Sequence, residues 1–524
     1  KVQNKMDKKT TLFSRGICHQ DNRNSLKMSL QNQTSMLKYV SKKLFITANV
    51  AVLTASLLAA AQLFEVLWWL AVPGILLLVH VIQKTKRPRQ LFWFGWLIGS
   101  ANALAAIAWF WSVYPLDWLG LAGNSQLSII GAYWLITGLV MGLGFGISLW
   151  LYKKSSMPFW TLPGWLLLGE SLGAFLFSMY SYGYGSYFNT NFSFGWLGYL
   201  VAEVPILQSL AAFGGVYLLS LWLCVSAVIL WYLTTTQNHK RSFVAVGLLV
   251  LIPFGTHLVN QYQLQTHPPT MPVVIAIDTT FDPVLQMQSG GWAKREATIA
   301  VAVDKALAFG PRTILLSEDA HLPNFYGGHE ATLEHIKTEA TAPVQVITSA
   351  KTTLPDNTTT QRGYVYDTNS DTVFTVDKQY LVPQGEYISY FYYPFLKLFA
   401  GARYQSLFGQ LTSQPGPHKS YDKAPEATPA LLFCMESVAP RAAWSRQRQY
   451  DTPYLVHLIS HSWFNEPTQL WRQLDRMLQV QALWTGVPIV SAGNLANGKL
   501  YLSNGRHSAG TVLFENEMYR LTAY

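Results

Sequence analysis

Between residues 44 and 260 the chain carries only twelve charged side chains in 217 residues, and apolar runs recur there at the length needed to cross about 30 Å of hydrocarbon. Seven membrane spans are predicted, at 45–64, 66–82, 91–114, 127–151, 159–179, 211–233 and 242–260. The eight basic residues of this region fall into three connections: Lys84, Lys86, Arg87 and Arg89; Lys153 and Lys154; Lys240 and Arg241. These are alternate loops, and positive charge stays on the cytoplasmic side. The opposite loops hold only Glu65, Asp117 and Glu203. The N-terminus is therefore expected in the cytoplasm, and an odd number of spans delivers everything after residue 260 to the outside.

Three segments follow: a basic cytoplasmic segment (1–43), a transmembrane domain of seven helices (44–260), and a polar domain (261–524). Residues 1–43 hold ten Lys/Arg and two Asp, while residues 261–524 hold twenty basic and twenty-two acidic side chains. The net charge of +10 thus sits in the tail and loops, and no folded region has the basic excess that nucleic-acid binding needs. The tail reads as an orientation anchor against an anionic inner leaflet. A signal peptide is a poor account of the first apolar run, because six more follow and no small-residue cleavage site is evident. Cys18, Cys224 and Cys434 lie in unrelated segments, which leaves no disulfide framework and no CxxC zinc spacing. Glu170, inside the fifth span, is costly at membrane depth unless it meets a cavity or a partner, and a structural hydrogen bond and a place near substrate are equally open.

From about Pro272 short β-branched runs alternate with helical stretches. The runs 273–277, 313–317, 344–349, 430–434, 454–459 and 488–492 read as buried strands, and the segments near 293–309 and 468–485 as helices. This order suggests a layered α/β domain, where reactive groups tend to sit at the C-terminal ends of strands. Glu318 follows one such strand in LLSEDAHLP, Cys434 ends another in LLFCMES, and Lys378 lies between them in VDKQYLVPQGEYISY. A carboxylate, an ammonium and a thiol that converge could perform acyl transfer. The acid takes the thiol proton, the thiolate attacks a carbonyl, and the ammonium stabilises the oxyanion. Singly, each has a structural explanation: a buried Cys as a small hydrophobe, a Glu after a strand as a helix cap, a loop Lys as a solvated charge. No HExxH, P-loop, GxGxxG or GxSxG is present, and the twelve histidines do not cluster at ligand spacing. His461, near a Trp-Phe pair, reads as a hydrogen-bonded structural residue. The run YISYFYYPFLKLF (387–399) suits a loop that dips into the membrane interface, or simple aromatic packing.

The order and surroundings of these residues resemble the nitrilase (carbon–nitrogen hydrolase) superfamily and its Glu-Lys-Cys triad, and more specifically its membrane branch, the apolipoprotein N-acyltransferases. LLSEDAHLP, DKQYLVPQGEYIS, LLFCMES, SHSWFNEPTQLWRQL and TGVPIVSAGNLANG carry the resemblance in the polar half. LFWFGWLIGSANALAAIAWFWSVY, LLLGESLGAFLF and LAAFGGVYLLSLW carry it in the membrane half. It implies a multi-pass helical membrane domain followed by a nitrilase-like α-β-β-α sandwich. Glu318 would be general base, Lys378 the oxyanion-stabilising lysine and Cys434 the nucleophile, with Glu386 and Glu436 as supporting acids. It further implies no cofactor and no metal, a phospholipid acyl donor, a diacylated apolipoprotein acceptor, a monomer, and a bacterial inner-membrane protein with its catalytic domain in the periplasm.

The chain departs from the motifs at several points. Met435 stands for tyrosine, Ser317 for proline, His461-Ser462 for Asn-Asp, Gln481-Ala482-Leu483-Trp484 for Arg-Ala-x-Glu, Asp278-Thr279-Thr280 for Gln-Gly-Asn, and Gly173 for arginine. No run after residue 505 is apolar enough to cross, so the final span implied by the resemblance is not expected in this sequence. Other functions are compatible with these residues: a membrane-tethered amidohydrolase in which water is the second substrate, a catalytically weakened homologue, and a non-enzymatic homologue that binds lipid or lipoprotein without turnover.

Overall fold

The computed structural model describes residues 44–116, 123–235, 239–266, 273–282, 285, 288–394, 397, 413–416 and 428–524. The basic tail with Cys18, and the side chains of Lys240 and Arg241, lie outside the described residues.

Among the described residues six helices are long and apolar enough to cross a membrane: Leu44–Leu63, Glu65–Lys84, Ser125–Ser155, Phe159–Tyr180, Ala211–Thr235 and Val244–Gln263. They match six of the seven predicted spans. The remaining one, 91–114, is a shorter helix, Pro88–Ala106, followed by a 3-10 turn, Ala108–Val113. Polar residues account for its lower apolarity, and they are put to use in packing. Asn102 donates to the Gly195 carbonyl at 2.7 Å and accepts from Gln62 at 3.2 Å.

Between helices in lipid, close backbone approach replaces the hydrophobic drive, so small residues gather at the crossings. A Cβ on Gly142 would lie 2.5 Å from the Ser100 backbone nitrogen, and one on Gly173 would lie 2.6 Å from the Met141 carbonyl oxygen. The second contact is why glycine fits at 173, where the resembled motif has arginine. Glu170 is structural. Its Oε1 accepts the Leu197 N–H at 2.6 Å and holds the 3-10 turn Leu197–Val201 against the bundle.

The polar half contains twelve described strands: β1 (Val274–Thr279), β2 (Thr313–Leu316), β3 (Gln345–Thr353), β4 (Thr359–Asp367), β5 (Thr372–Asp377), β6 (Ala430–Phe433), β7 (Leu455–Ser460), β8 (Ile489–Asn494), β9 (Leu500–Tyr501), β10 (His507–Ser508), β11 (Thr511–Glu515) and β12 (Tyr519–Ala523). One arm runs β5-β4-β3-β2-β1-β12-β11 and the other β6-β7-β8-β9-β10, joined by the pair Thr279–Asn494. Alternate residues of each strand face opposite sides. Ala276, Leu315, Ile347 and Val365 of the first arm therefore meet Leu431, Phe433, Val456 and Val490 of the second in one core. Ile275, Ile277 and Ile314 face the helix Gly291–Leu307, while Leu432, Leu455 and Ile489 face the helix Thr468–Thr485. These three cores make the α-β-β-α sandwich. Because β1–β3 are parallel, β3-β4-β5 is an antiparallel meander and β1 pairs parallel to β8, the C-terminal ends of β2, β5 and β6 all lie at one edge.

The helix Thr468–Thr485 joins the two halves. The last carbonyls of a helix have no intrahelical donor. Gln469 and Gln473 donate to the Ala105 and Ala106 carbonyls, both at 2.8 Å, at the end of the Pro88–Ala106 helix. Arg476 pairs with Glu203 at 2.8 Å, and the indole of Trp484 lies on Gly215, whose φ of +57° kinks the Ala211–Thr235 helix. Replacing Gly173 by leucine should separate its helix from Met141 and cost about 1–3 kcal/mol. Thermal unfolding in detergent checks this against Gly164→Ala, where a Cβ meets nothing within 4 Å.

Candidate active site

Glu318 emerges from β2 into a turn that few sequences would adopt. Asp319 and His321 both take left-handed backbone conformations, with φ of +63° and +55°. Such geometry persists only when its surroundings over-determine it. Here the Asp319 N–H donates to Ser349 Oγ at 2.8 Å, its carboxylate meets His321 Nε2 at 2.6 Å, and the buried Arg295 guanidinium donates to its carbonyl oxygen. Burial alone would raise the Asp319 carboxyl, but His321 and Arg295 hold it below the usual range. The fixed turn aims the buried Glu318 carboxyl at the edge of the sandwich.

Lys378 is the first residue after β5, and its N–H is tied to the Gln361 carbonyl at 2.8 Å. Its side chain is 1% exposed, and Nζ donates to Glu318 Oε1 and to Glu386 Oε1, each at 2.9 Å. The second oxygen of Glu386 accepts the Val382 N–H at 2.7 Å, so the loop after Lys378 folds back on itself to deliver the second acid. Burial disfavours the ammonium, yet the two carboxylates outweigh it and hold Lys378 protonated well above its ordinary value. Glu318 is pushed up to about 7, chiefly by burial, against the pull of Lys378.

Cys434 ends β6, opens the 3-10 turn Cys434–Val438, and is partly exposed. Burial and the neighbouring Glu318 push its thiol up to about 12, while Lys378 and the Ser460 backbone N–H favour the thiolate. The four groups therefore share one electrostatic environment. Glu436, two residues on, lies elsewhere in the site. It is fully buried, with Oε1 accepting the Gln379 N–H at 2.8 Å and Oε2 the Phe433 N–H at 3.0 Å, and both oxygens accept from Arg446 at 2.7 and 2.8 Å. It ties the residue after the lysine to the residue before the cysteine, so its support is positional. The turn is also held by Gln481, which donates to the Ser437 carbonyl at 2.5 Å, and from the membrane half by Ser193, which donates to the Val438 carbonyl at 2.6 Å.

Cys434 and Met435 pack against the core cluster that contains the membrane helices. A small cavity of about 40 Å³ beside Met435 is lined by Phe177, Ser181 and Asn191 of the membrane half and by Gln379 and Tyr387 of the lysine loop. The aromatic run after Glu386 packs on the same helices, with Tyr392 against Tyr133 and Tyr180. Its positions 395, 396 and 398–399 lie outside the described residues. His461 accepts from the Trp471 indole N–H at 2.6 Å, the structural role expected of it.

Four of the five sequence-selected residues, Glu318, Lys378, Glu386 and Cys434, thus come together, while Glu436 lies behind them against Arg446. Sequence reasoning missed Arg446, Arg295, Asp319 and Ser193. Asp319 stood inside a quoted motif. Arg446 and Ser193 carry no local signal, because only the fold brings them to the nucleophile turn.

These features define a helical membrane protein with a nitrilase-like sandwich and an acid–ammonium–acid cluster beside a cysteine. No family model matches the chain. Over most of its length it is similar to curated apolipoprotein N-acyltransferases. It is 23% identical over 455 residues to that of Azotobacter vinelandii, covering 83% of this chain and 81% of the relative. It is 25% identical over 505 residues to that of Pseudomonas syringae pv. tomato, covering 91% and 92%, and 26% over 468 residues to that of Pseudomonas putida, covering 84% and 83%. Among solved structures, a carbon-nitrogen hydrolase from Helicobacter pylori aligns with 48% of this chain and 88% of its own length at 10% identity and a TM-score of 0.34. A nitrilase-superfamily amidase from Nesterenkonia aligns with 49% and 91% at 11% identity and a TM-score of 0.32.

Replacing Arg446 by methionine would strand Glu436 as an unpaired buried charge, at a cost of about 3–5 kcal/mol. Thermal unfolding in detergent should show the loss, whereas Arg506→Met, at an exposed position, should stay within about 0.5 kcal/mol.

Proposed function

We propose that this chain is a bacterial inner-membrane N-acyltransferase of lipoprotein maturation, moving a fatty acyl group from a phospholipid to the N-terminal amine of a diacylated apolipoprotein. The observation that carries the proposal is Lys378 Nζ held 2.9 Å from both Glu318 and Glu386, with the Cys434 thiol in their field and packed towards the membrane helices. The names of the full-length relatives support the same activity.

In this proposal the thiol, neutral at rest, gives its proton to ionised Glu318 as the sulfur attacks the ester carbonyl. An ammonium has three N–H donors, and two are committed to carboxylates. The third is left for the oxygen that becomes negative. Collapse breaks the ester C–O bond, and the lysophospholipid alkoxide leaves with the proton from Glu318. The acceptor amine then attacks the thioester and passes a proton to Glu318. The C–S bond breaks, the amide is released, and the returning proton regenerates the thiol. Both substrates are anchored by acyl chains, and drawing a chain into water forfeits about 0.8 kcal/mol per methylene. A site at the rim of the helices lets the tails stay in hydrocarbon. The basic loops at 84–89 and 153–154 support a cytoplasmic face at that end of the bundle, and the sandwich is proposed to stand on the periplasmic side.

Purified protein incubated with phospholipid should gain one acyl mass that Cys434→Ala abolishes and Cys224→Ala retains. Adding a diacylated lipopeptide should discharge it as N-acyl product. Free fatty acid alone would mean an amidohydrolase-like fate, and no adduct in the parent would reject turnover. Because Glu318 must be ionised to accept the proton and its pKa is raised to about 7, the acylation rate should climb with pH through about 7 and fall below it. A stopped-time acylation series from pH 5.5 to 8.5 checks the sign.

A further inference from the structure

Where the two arms of the sandwich meet, one side chain hydrogen-bonds to both arms. Asn494 ends β8 and is fully buried. Its Oδ1 accepts the Phe281 N–H at 2.8 Å and its Nδ2 donates to the Phe281 carbonyl at 3.1 Å, which fixes the orientation of the amide. Every other proton in the network then follows. Thr279 Oγ1, 2.9 Å from Oδ1, must donate to it. Ser317 Oγ, 3.3 Å from Thr279 Oγ1, must in turn donate to Thr279. Ser317 immediately precedes Glu318. On the other arm, Nδ2 reaches Ser460 Oγ at 3.4 Å, and Ser460 ends β7, the strand paired with β6, which Cys434 follows directly. The backbone joins the same elements: the His461 N–H donates to the Asn494 carbonyl at 2.9 Å, and the Leu495 N–H donates to the Thr279 carbonyl at 2.8 Å.

We infer that Asn494, Thr279 and Ser317 form a positioning bridge that sets the distance between the proton acceptor Glu318 and the sulfur of Cys434. None of the three touches substrate in this scheme. They act through the residue before Glu318 and through Ser460 at the end of the strand that lies beside β6. A rate that depends on proton transfer across a fixed gap is sensitive to such a bridge, since a displacement of about 1 Å can cost on the order of 10²-fold. The inference deepens the acyl-transfer proposal and rests on it for the catalytic consequence, but the geometry of the thiol can be read without any acyl donor.

The test uses full-length protein in detergent, with Thr279→Val, Thr279→Ser, Ser317→Ala and Asn494→Ala. Two rates are measured for each: alkylation of Cys434 by iodoacetamide against pH, followed by peptide mass so that Cys224 is counted separately, and acyl-enzyme formation from phospholipid in a single turnover. Thr279→Val should slow both about tenfold and move the alkylation profile to higher pH. Its half-saturating phospholipid concentration should be unchanged. Thr279→Ser, which keeps the hydroxyl, should restore both rates, and Ser317→Ala should fall between. Should Asn494→Ala fail to fold, the valine–serine pair still decides. Equal rates for valine, serine and parent, or equal losses for valine and serine, would overturn the bridge. Absence of acyl-enzyme in every variant and the parent, with the alkylation order intact, would reject the acyl-transfer proposal and leave the bridge standing.

Discussion

The arrangement depends on one buried ammonium. Lys378 Nζ is removed from water and can remain charged only because Glu318 and Glu386 both lie within 2.9 Å. Removing one partner of such a pair typically costs about 3–5 kcal/mol, so three chain segments are bound to one point. The balance of charge then sets the resting state of the sulfur. Two carboxylates face one ammonium, the surplus is negative, and with burial it pushes the Cys434 thiol up to about 12. A cysteine in that field is no preformed thiolate. In the proposed reaction it becomes a nucleophile only as a carboxylate of suitable basicity takes its proton, the part given there to Glu318, which is pushed up to about 7.

The fold makes this convergence possible by putting the C-terminal ends of β2, β5 and β6 at one edge, and the membrane half then closes over it. The turn that carries Cys434 receives hydrogen bonds at two successive carbonyls from different halves of the molecule. Gln481 of the sandwich reaches Ser437, and Ser193 of the membrane half reaches Val438. Behind Ser193, Glu170 holds the Leu197–Val201 turn from within its helix. A carboxylate at membrane depth thus bears on this turn through the backbone it pins. The glutamines that cap the Pro88–Ala106 helix fix the same junction from the other side.

The sequence made the buried parts of this legible and left the paired edges obscure. The runs at 313–317, 430–434, 454–459 and 488–492 are covered on both faces, so they read as unbroken apolar strands. The predicted 468–485 helix carries apolar residues towards two cores and has the bounds Thr468–Thr485. β4 and β5 escaped notice because threonine, glutamine, arginine and aspartate interrupt their apolar residues, and two of these, Arg362 and Asp377, pair across the strands at 2.6 Å. The third span was over-extended because its apolar tail, Ala108–Val113, is a 3-10 turn under the sandwich and not more helix. In the site, Glu318, Lys378, Cys434, Glu386 and Glu436 were visible as motif residues. The division of labour among the acids was not, since whether a glutamate faces the thiol or Arg446 depends on a helix ten residues away.

Several positions where the chain departs from the motifs it resembles have partners among one another or in their immediate surroundings, although the buried Nε2 of His461 has none among the described residues. A substitution that left a buried polar group unpaired or a cavity unfilled would weaken the cluster. Here Trp484 lies on the kink at Gly215 and stacks on Trp444. Gln481 supplies both a donor to Ser437 and an acceptor, at 3.1 Å, for the Ala443 N–H. His461 accepts the Trp471 indole N–H, and Gly173 lets two helices touch. Thr279 and Ser317, two departures that lie 38 residues apart in the chain, meet at 3.3 Å beside the base.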